Sequence, residues 1–314
     1  MKKPLYCLWL LGNADESILK LNNVLKYGFK VHEIDMMDED FRIIQKLERL
    51  EDTAGICNRL TNDYNCMLYT KLYCIKKVFE VPVDDFGRIR FDEMNEKDRK
   101  LIDNYVSSFV SKIRLFKEGN LCLPVSYKYF KTYNGEAQLY TQQTWLNSEL
   151  GLNFNLEDSE LEKLTDFMKD LLIPFHFEQS FLQKAFELFE VSYYTTFSND
   201  IKTLILFMSM EVLFKSKKNC KSNCIALNIA SFLEENQSDF KNLYCEMKND
   251  WQTRNKIAHE GSADISRQEL QDLIKKLRRY VRKSIVKMDK IGQDKDKIIE
   301  PLQNKFNKVN CYQK

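Results

Sequence analysis

The stretch that decides the fold of the C-terminal half is residues 238–261, SDFKNLYCEMKNDWQTRNKIAHEG. Its apolar side chains recur every three or four residues, which places them on one face of an α-helix. They are Phe240, Leu243, Tyr244, Met247 and Trp251. Gly261 ends the pattern, and glycine is the residue that most readily closes a helix with a left-handed backbone conformation. The stretch therefore predicts a helix over residues 238–259.

The helical pattern extends to both sides of this segment. No glycine lies between Gly151 and Gly261, and apolar residues recur at helical spacing through most of that length. Further helices are predicted over residues 157–173, 178–196, 199–216, 223–235 and 264–290. We therefore expect an all-α bundle over residues 152–290, followed by a polar, flexible tail over residues 291–314.

The first 150 residues have a different pattern, in which short apolar segments are separated by turn signals. A turn at Asn134-Gly135 supplies the positive φ angles that tight hairpins need. Strands are predicted over residues 5–11, 29–34, 67–83, 88–91, 122–133 and 137–145, and a helix over 98–117. The fold class is therefore α+β, with a strand-rich N-terminal domain over residues 1–150 and a helical domain over 152–290.

The composition excludes several classes of protein. The 314 residues include 48 Lys+Arg and 46 Asp+Glu, and a net charge of +2 argues against a wholly polybasic nucleic-acid binder. No apolar run approaches the roughly 20 residues of a membrane span. The nine cysteines are scattered and odd in number, which is typical of reduced thiols in a cytoplasmic protein. We therefore expect a cytoplasmic protein that has no membrane segment.

One helix end combines residues that can carry chemistry. Arg254 continues the apolar stripe three residues after Trp251, and an arginine on a core face must be paired or line a cleft. Asn255 and His259 are four residues apart, so their side chains are expected to hydrogen-bond. Glu211 lies in the apolar segment 204–214 and is the natural partner of Arg254, although a partly exposed helix-edge position is the alternative.

These residue types suit the cleavage of RNA by its own 2′-hydroxyl group. An imidazole can move a proton, and a guanidinium can hold a phosphate at two points. This chemistry needs neither a metal nor an organic cofactor. The sequence contains no Walker A loop, G-x-G-x-x-G, H-E-x-x-H or G-x-S-x-G motif, which argues against the usual nucleotide hydrolases, dehydrogenases, metalloproteases and esterases.

Basic residues accompany this helix end. Residues 264–314 hold 14 basic and 7 acidic side chains. A basic rim attracts RNA phosphates, although the alternative is that these residues form the solvated side of an amphipathic helix. The predicted RNA-binding residues are Lys215, Lys217, Lys218, Lys256, Arg279 and Arg282.

The string RNKIAH at residues 254–259, followed by Glu260 and Gly261, resembles the R-x4-6-H motif of HEPN (higher eukaryote and prokaryote nucleotide-binding) domains. The trailing Glu-Gly and the apolar segment with the single acid Glu211 are similar to the Apea-like branch. The resemblance covers residues 152–290 and implies an all-α bundle that is commonly dimeric. It also implies that Arg254 and His259 are a catalytic pair, with Asn255 as the polar residue after the arginine.

Many HEPN domains are metal-independent endoribonucleases in toxin, anti-phage or stress systems, and in the family two copies of the motif meet at a dimer interface. Others only bind or scaffold, so a nucleotide-binding or dimerisation module remains the alternative. The resemblance does not extend to residues 1–150, where we expect a sensory role and a possible antitoxin or trigger partner.

Overall fold

The computed structural model describes residues 1–35, 38–48, 72–86, 88–119, 121–131, 137–144, 154–170, 180–194, 196–215, 221–292 and 294–306. The chain divides into two units, Met1–Asp170 and Leu171–Lys314. An antiparallel sheet forms the centre of the first unit, and the second is helical, which confirms the predicted α+β class.

The sheet of the N-terminal unit has five strands in the order β2-β3-β1-β4-β5. They are β1 (Lys2–Leu11), β2 (Lys30–Ile34), β3 (Leu72–Pro82), β4 (Val125–Lys131) and β5 (Ala137–Thr144). Leu5, Cys7 and Trp9 of β1 enter one core cluster, while Leu8 and Leu10 enter another on the opposite side. Because alternate residues of a strand point to opposite faces, a strand covered on both sides is apolar on both faces, as β1 is from Leu5 to Leu11.

Short helices cover the sheet. They are α1 (Glu39–Glu48), α2 (Glu96–Lys100), α3 (Val106–Phe116) and α4 (Leu161–Asp170), and a π-helical turn over Leu101–Tyr105 joins α2 to α3. The helix predicted over 98–117 is therefore present, whereas α1 was not predicted. Asp40, in the first turn of α1, accepts hydrogen bonds from Lys76 and from the Tyr129 hydroxyl, the latter at 3.0 Å. Pairing of Asp40 with the sheet thus holds this acidic helix in place.

The strand predicted over residues 88–91 is absent. Val83 and Ile89 form only an isolated bridge, and the Asp84 carboxylate accepts hydrogen bonds from the backbone N–H groups of Phe86 and Arg88 at 2.9 and 2.8 Å. This side chain replaces ladder hydrogen bonds with a local turn, so the strand predicted over residues 88–91 does not form.

The boundary between the two units lies at 170–171, whereas the sequence placed it at 150–152. Phe154, Leu156 and Leu164 are fully buried in the core cluster that also holds β1 residues. The Phe154 backbone N–H donates to the Asn13 carbonyl at 2.8 Å. The segment 154–170 therefore completes the N-terminal core, although its helical periodicity resembles that of the bundle.

The second unit is a helical bundle. Its helices are α5 (Ser180–Val191), α6 (Asn199–Phe214), α7 (Ser222–Leu233), α8 (Gln237–Glu260), α9 (Arg267–Ile291) and α10 (Lys295–Phe306). Helix α6 packs against α5, α7, α8 and α9, which explains why it is apolar almost all round. The buried Arg278 of α9 donates to the Ser192 hydroxyl at 3.2 Å and lies 4.0 Å from the centre of the Tyr193 ring.

Helix α10 corrects the prediction of a flexible tail over residues 291–314, because its residues 295–306 are ordered as a helix. Ile298, Ile299 and Leu302 are buried, and α10 packs on α7. Short amphipathic helices obtain most of their stability from such packing and little from intrinsic propensity. Residues 307–314 of the predicted tail lie outside the described residues.

Two further expectations concern the whole chain. No helix within the described ranges is long and apolar enough to cross a membrane. Cys7, Cys74 and Cys245 are free thiols, as expected, but Cys224 is in a disulfide, which contradicts the expectation of reduced thiols at that residue.

Candidate functional site

The predicted site lies on the last turns of α8, which the bundle core holds in place. Asn236 caps the start of this helix, its side chain accepting from the Asp239 N–H at 2.9 Å. Trp251 is 4% exposed and packs edge-on against Phe207 of α6, with ring centres 4.7 Å apart. Such aromatic pairs add to the stability gained from burial alone. Trp251 thus fixes α8 against α6 one turn before Arg254.

Arg254 and Glu211 form the contact predicted between them. Arg254 Nη2 lies 3.2 Å from Glu211 Oε1, and the two side chains are 26% and 28% exposed. This geometry satisfies the requirement that an arginine on a core face be paired. It also leaves the guanidinium open to solvent on one side, so an anion can approach it without unfolding the helix.

Asn255 contacts Arg254 and not His259. The Asn255 side-chain oxygen accepts a long hydrogen bond from Arg254 Nη1 at 3.4 Å. The predicted bond between Asn255 and His259 is absent from the described part of the chain. A charged guanidinium is a stronger donor than a neutral imidazole, which explains why the amide turns toward Arg254.

His259 is exposed in the last turn of α8. Its imidazole makes no hydrogen bond or ion pair within the described residues. The turn itself is anchored by Ile257, which is 4% exposed, and by Gly261, whose N–H donates to the Ile257 carbonyl at 3.0 Å. Gly261 has the left-handed conformation predicted for it, with φ at 84°. The histidine is therefore placed by the backbone and remains chemically available.

The structure does not bring Arg254 and His259 together on one chain. Five residues of an α-helix separate two side chains by about 140° around its axis. Arg254 accordingly faces α6 and Glu211, whereas His259 faces solvent. One copy of the helix presents the two groups in different directions.

A polar cluster, which was not predicted, holds α8 against α9 one turn before the motif. Lys276 donates to Glu246 and Asp250 at 2.9 Å each, and the Tyr280 hydroxyl donates to Glu246 at 3.1 Å. Burial opposes the charge on Lys276, but its pKa is still raised because the two carboxylates accept from it. Lys276 belongs to the basic stripe of α9 in the sequence, where periodicity alone cannot separate a paired lysine from a solvated one.

The predicted RNA-binding residues are only partly described. Lys215 is exposed at the end of α6, and its N–H donates to the Glu211 carbonyl at 2.9 Å. Lys256 is 49% exposed and lies 3.4 Å from Asp264. Lys217 and Lys218 lie outside the described residues. Lys215 and Lys256 therefore flank the ends of the two helices that carry Glu211 and Arg254.

The two predicted residues of α9 differ in exposure. Arg279 is exposed and its guanidinium lies 5.2 Å from the centre of the Tyr280 ring. Arg282 is half-buried and has an interaction partner. Arg279 is thus the better placed of the two to contact a phosphate.

Within the described residues, no group of three or more His, Cys, Asp or Glu side chains could hold a metal ion. The residues that gather at the end of α8 are an arginine, a carboxylate, an amide and a histidine, which can bind an anion and transfer a proton. Comparisons with protein-family models, with curated proteins and with solved structures found no match for this chain.

Proposed function

We propose that the protein is a metal-independent endoribonuclease of the HEPN type. The observation that carries the proposal is the end of α8, where a partly exposed Arg254 paired with Glu211 is followed by an exposed His259 that makes no hydrogen bond or ion pair within the described residues. A guanidinium has five N–H donors, and Glu211 and Asn255 each accept one hydrogen bond from Arg254. The remaining donors are available for a phosphate.

The proposed reaction is attack of a ribose 2′-hydroxyl on the adjacent phosphorus. A neutral His259 imidazole removes the 2′-proton while the new O–P bond forms, and the guanidinium of Arg254 stabilises the charge on the non-bridging oxygens. The bond from phosphorus to the 5′-oxygen then breaks, and an imidazolium supplies the proton that this oxygen takes. The products are a 2′,3′-cyclic phosphate and a 5′-hydroxyl end.

The two required roles for imidazole favour a homodimer through the helical unit. On one chain Arg254 and His259 point in different directions, so a second copy of α8 would supply the complementary group. Helix α6 offers a surface for such pairing, because Ile201 and Met208 are 44% and 48% exposed on it. Met208 lies one helical turn before Glu211, which places this apolar surface beside the site.

The biological setting follows from the motif resemblance and is part of the proposal. We infer a cytoplasmic role in anti-phage defence, a toxin system or a stress response. The N-terminal unit would then hold the sensory function, with an antitoxin or a trigger molecule as its partner. RNA is the proposed substrate, and Lys215, Lys256 and Arg279 are the described basic residues that would contact its phosphates.

A second candidate is a module that binds RNA or nucleotides without cleaving them. It is favoured by one observation, that Arg254 is already paired with Glu211 and Asn255 while His259 contacts neither. Such a module needs the guanidinium for binding but has no need of the imidazole.

The two candidates differ in what His259→Ala does. For an endoribonuclease, the variant binds RNA as the wild type does but cleaves it about 100-fold to 10,000-fold more slowly, the usual contribution of general acid–base catalysis. For a binding module, neither wild type nor variant cleaves. His32→Ala is the matched control, because His32 is an exposed histidine of the other unit.

A further inference from the structure

The turn that leads into β2 presents a tyrosine in an unusual backbone conformation. The Phe29 N–H donates to the Lys26 carbonyl at 3.2 Å. Both central residues have positive φ, 59° at Tyr27 and 77° at Gly28. Two-residue turns of this kind favour Asn or Asp before the glycine, and a bulky residue with positive φ is a strained exception. A tyrosine at position 27 is therefore unfavourable for the backbone conformation of this turn.

The turn is held by hydrogen bonds to its main chain. Lys77 Nζ donates to the Tyr27 carbonyl at 2.5 Å, and the Lys26 N–H donates to the Tyr105 hydroxyl at 2.8 Å. Neither bond uses the side chain of residue 27. Asparagine or glycine at this position would keep both bonds and relieve the strain. The turn therefore does not need a tyrosine, and we expect the tyrosine side chain to have another role.

Aromatic rings position the lysine that holds the turn. Lys77 Nζ lies 4.7 Å from the centre of the Phe29 ring and 4.4 Å from that of Phe79. Burial lowers the pKa of Lys77, and the Asp98 carboxylate opposes this shift. Asp98 is itself bound by Asn95, whose side-chain amide donates to it at 2.7 Å. Lys77 therefore lies beside the turn, and Asp98, the carboxylate that acts on it most strongly, is already bound by Asn95.

The Tyr27 ring forms a platform at the surface of the N-terminal unit. It is 52% exposed and packs nearly perpendicular to the Tyr105 ring, with ring centres 5.5 Å apart. The exposed Lys97 holds its ammonium group 5.2 Å from the centre of the Tyr27 ring. The ammonium group of Lys97 lies over this ring, so an exposed aromatic surface and a positive charge are adjacent.

The chemistry of this platform selects a ligand class. Lys97 already supplies the cation at this ring and repels a second one, which argues against a cationic ligand. A simple anion would use Lys97 but gain nothing from the ring. A nucleotide uses both, because its base stacks on an aromatic face while its phosphate contacts a lysine. We propose that Tyr27 and Lys97 form a nucleotide-binding site in the N-terminal unit, in which the base stacks on Tyr27.

This inference goes beyond the proposed endoribonuclease function and does not depend on it. The same chemistry is offered by a free nucleotide and by a nucleotide within single-stranded RNA. Binding of AMP and of a short oligoadenylate to the full chain separates these sources. Adenosine and ribose 5-phosphate, used as probes, separate the contribution of the base from that of the phosphate.

Titration calorimetry with the full chain tests the proposal. Tyr27→Ala should weaken the binding of AMP or oligoadenylate about tenfold or more, the scale of one base–aromatic stack. Lys97→Ala should weaken the binding of AMP but not that of adenosine. Phe86→Ala is the control, because Phe86 is 85% exposed and lies 5.8 Å from the Arg88 guanidinium without being part of the site. Arg254→Ala removes the proposed phosphate contact of the helical unit, so binding that remains in this variant occurs elsewhere on the chain.

Tyr27→Gly keeps the test decisive if Tyr27→Ala fails to fold. Glycine adopts positive φ without strain, so relief of strain offsets part of the lost contact with Tyr105, and this variant should stay folded and still lose binding about tenfold. Wild-type protein that binds neither AMP nor oligoadenylate would overturn the proposal. So would unchanged binding in Tyr27→Gly, an equal loss in Phe86→Ala, or complete loss in Arg254→Ala.

Discussion

Arg254 of α8 and Glu211 of α6 face each other across the bundle, with Arg254 Nη2 3.2 Å from Glu211 Oε1. The carboxylate orients the guanidinium without enclosing it, since about a quarter of each side chain remains exposed. Glu211 is thereby a positioning residue for Arg254, and the strength of the pair can be measured apart from any reaction.

A double-mutant cycle of Glu211→Gln and Arg254→Gln measures this coupling. Partly exposed ion pairs contribute about 0.5–1 kcal/mol to the free energy of unfolding, and we expect a coupling energy in that range from denaturant unfolding. RNA cleavage should fall further in Arg254→Gln than in Glu211→Gln, since in the proposed mechanism only the arginine contacts the phosphate. Additive effects on stability would show that the contact does not orient Arg254.

Two glycines that end adjacent helices provide a matched test of how His259 is placed. Gly261 and Gly292 end α8 and α9 with φ at 84° and 62°, and a Cβ atom at either position would meet nothing within 4 Å. Alanine at each site should therefore cost a similar amount, about 1 kcal/mol, from backbone strain alone. Thermal unfolding measures this cost.

The same two variants should differ in activity. Gly261→Ala loosens the turn that carries His259, so RNA cleavage should decrease more than in Gly292→Ala, whose helix end is remote in sequence from the motif. Equal cleavage by the two variants would mean that the conformation of this turn does not determine the position of His259 in the proposed mechanism.

The N-terminal unit should lose stability in mild acid through His32. Although His32 is exposed, partial desolvation at the sheet and then the positive charge of Lys76 lower its pKa from the ordinary value of 6.5, and Asp40 opposes the shift. The folded state therefore binds the proton less readily than the unfolded chain. The stabilisation is complete above pH 6.5 and decreases as the pH falls from 6.5 through the pKa of the folded state.

Unfolding temperatures of wild type and His32→Gln between about pH 7.5 and about pH 5.5 check this prediction. The wild type should lose more stability on acidification than the variant, which cannot take up the proton. Because all other titrating groups are common to both proteins, parallel curves would contradict the proposed contribution of His32.

Much of the fold could be predicted where sequence periodicity coincides with burial. Strand β1 and helix α8 were predicted within a few residues because their apolar patterns match the faces that they bury. Helices α1 and α10 were missed, since tertiary contacts stabilise them: Asp40 pairs with the sheet in one, and Ile299 enters the bundle core in the other. Such contacts cannot be predicted from the sequence of charged, weakly periodic segments.

The contact between Arg254 and Glu211 was also predictable from the apolar periodicity of the two helices. An arginine on an apolar stripe needs a carboxylate, and the only acid of segment 204–214 is Glu211. The pairing of Lys276 with Asp250 was not predictable, because spacing alone does not tell a buried charge from a solvated one. Tyr27 was missed because its interest lies in a backbone angle that its residue type ordinarily avoids.

The central claim is tested most directly by the rate at which purified protein forms 2′,3′-cyclic phosphate ends on RNA in the presence of EDTA. We predict cleavage by the wild type and by His32→Ala, and a rate about 100-fold to 10,000-fold lower in His259→Ala at an unchanged unfolding temperature. Equal rates in wild type and His259→Ala, or wild-type cleavage that EDTA abolishes, would contradict a metal-independent mechanism through His259.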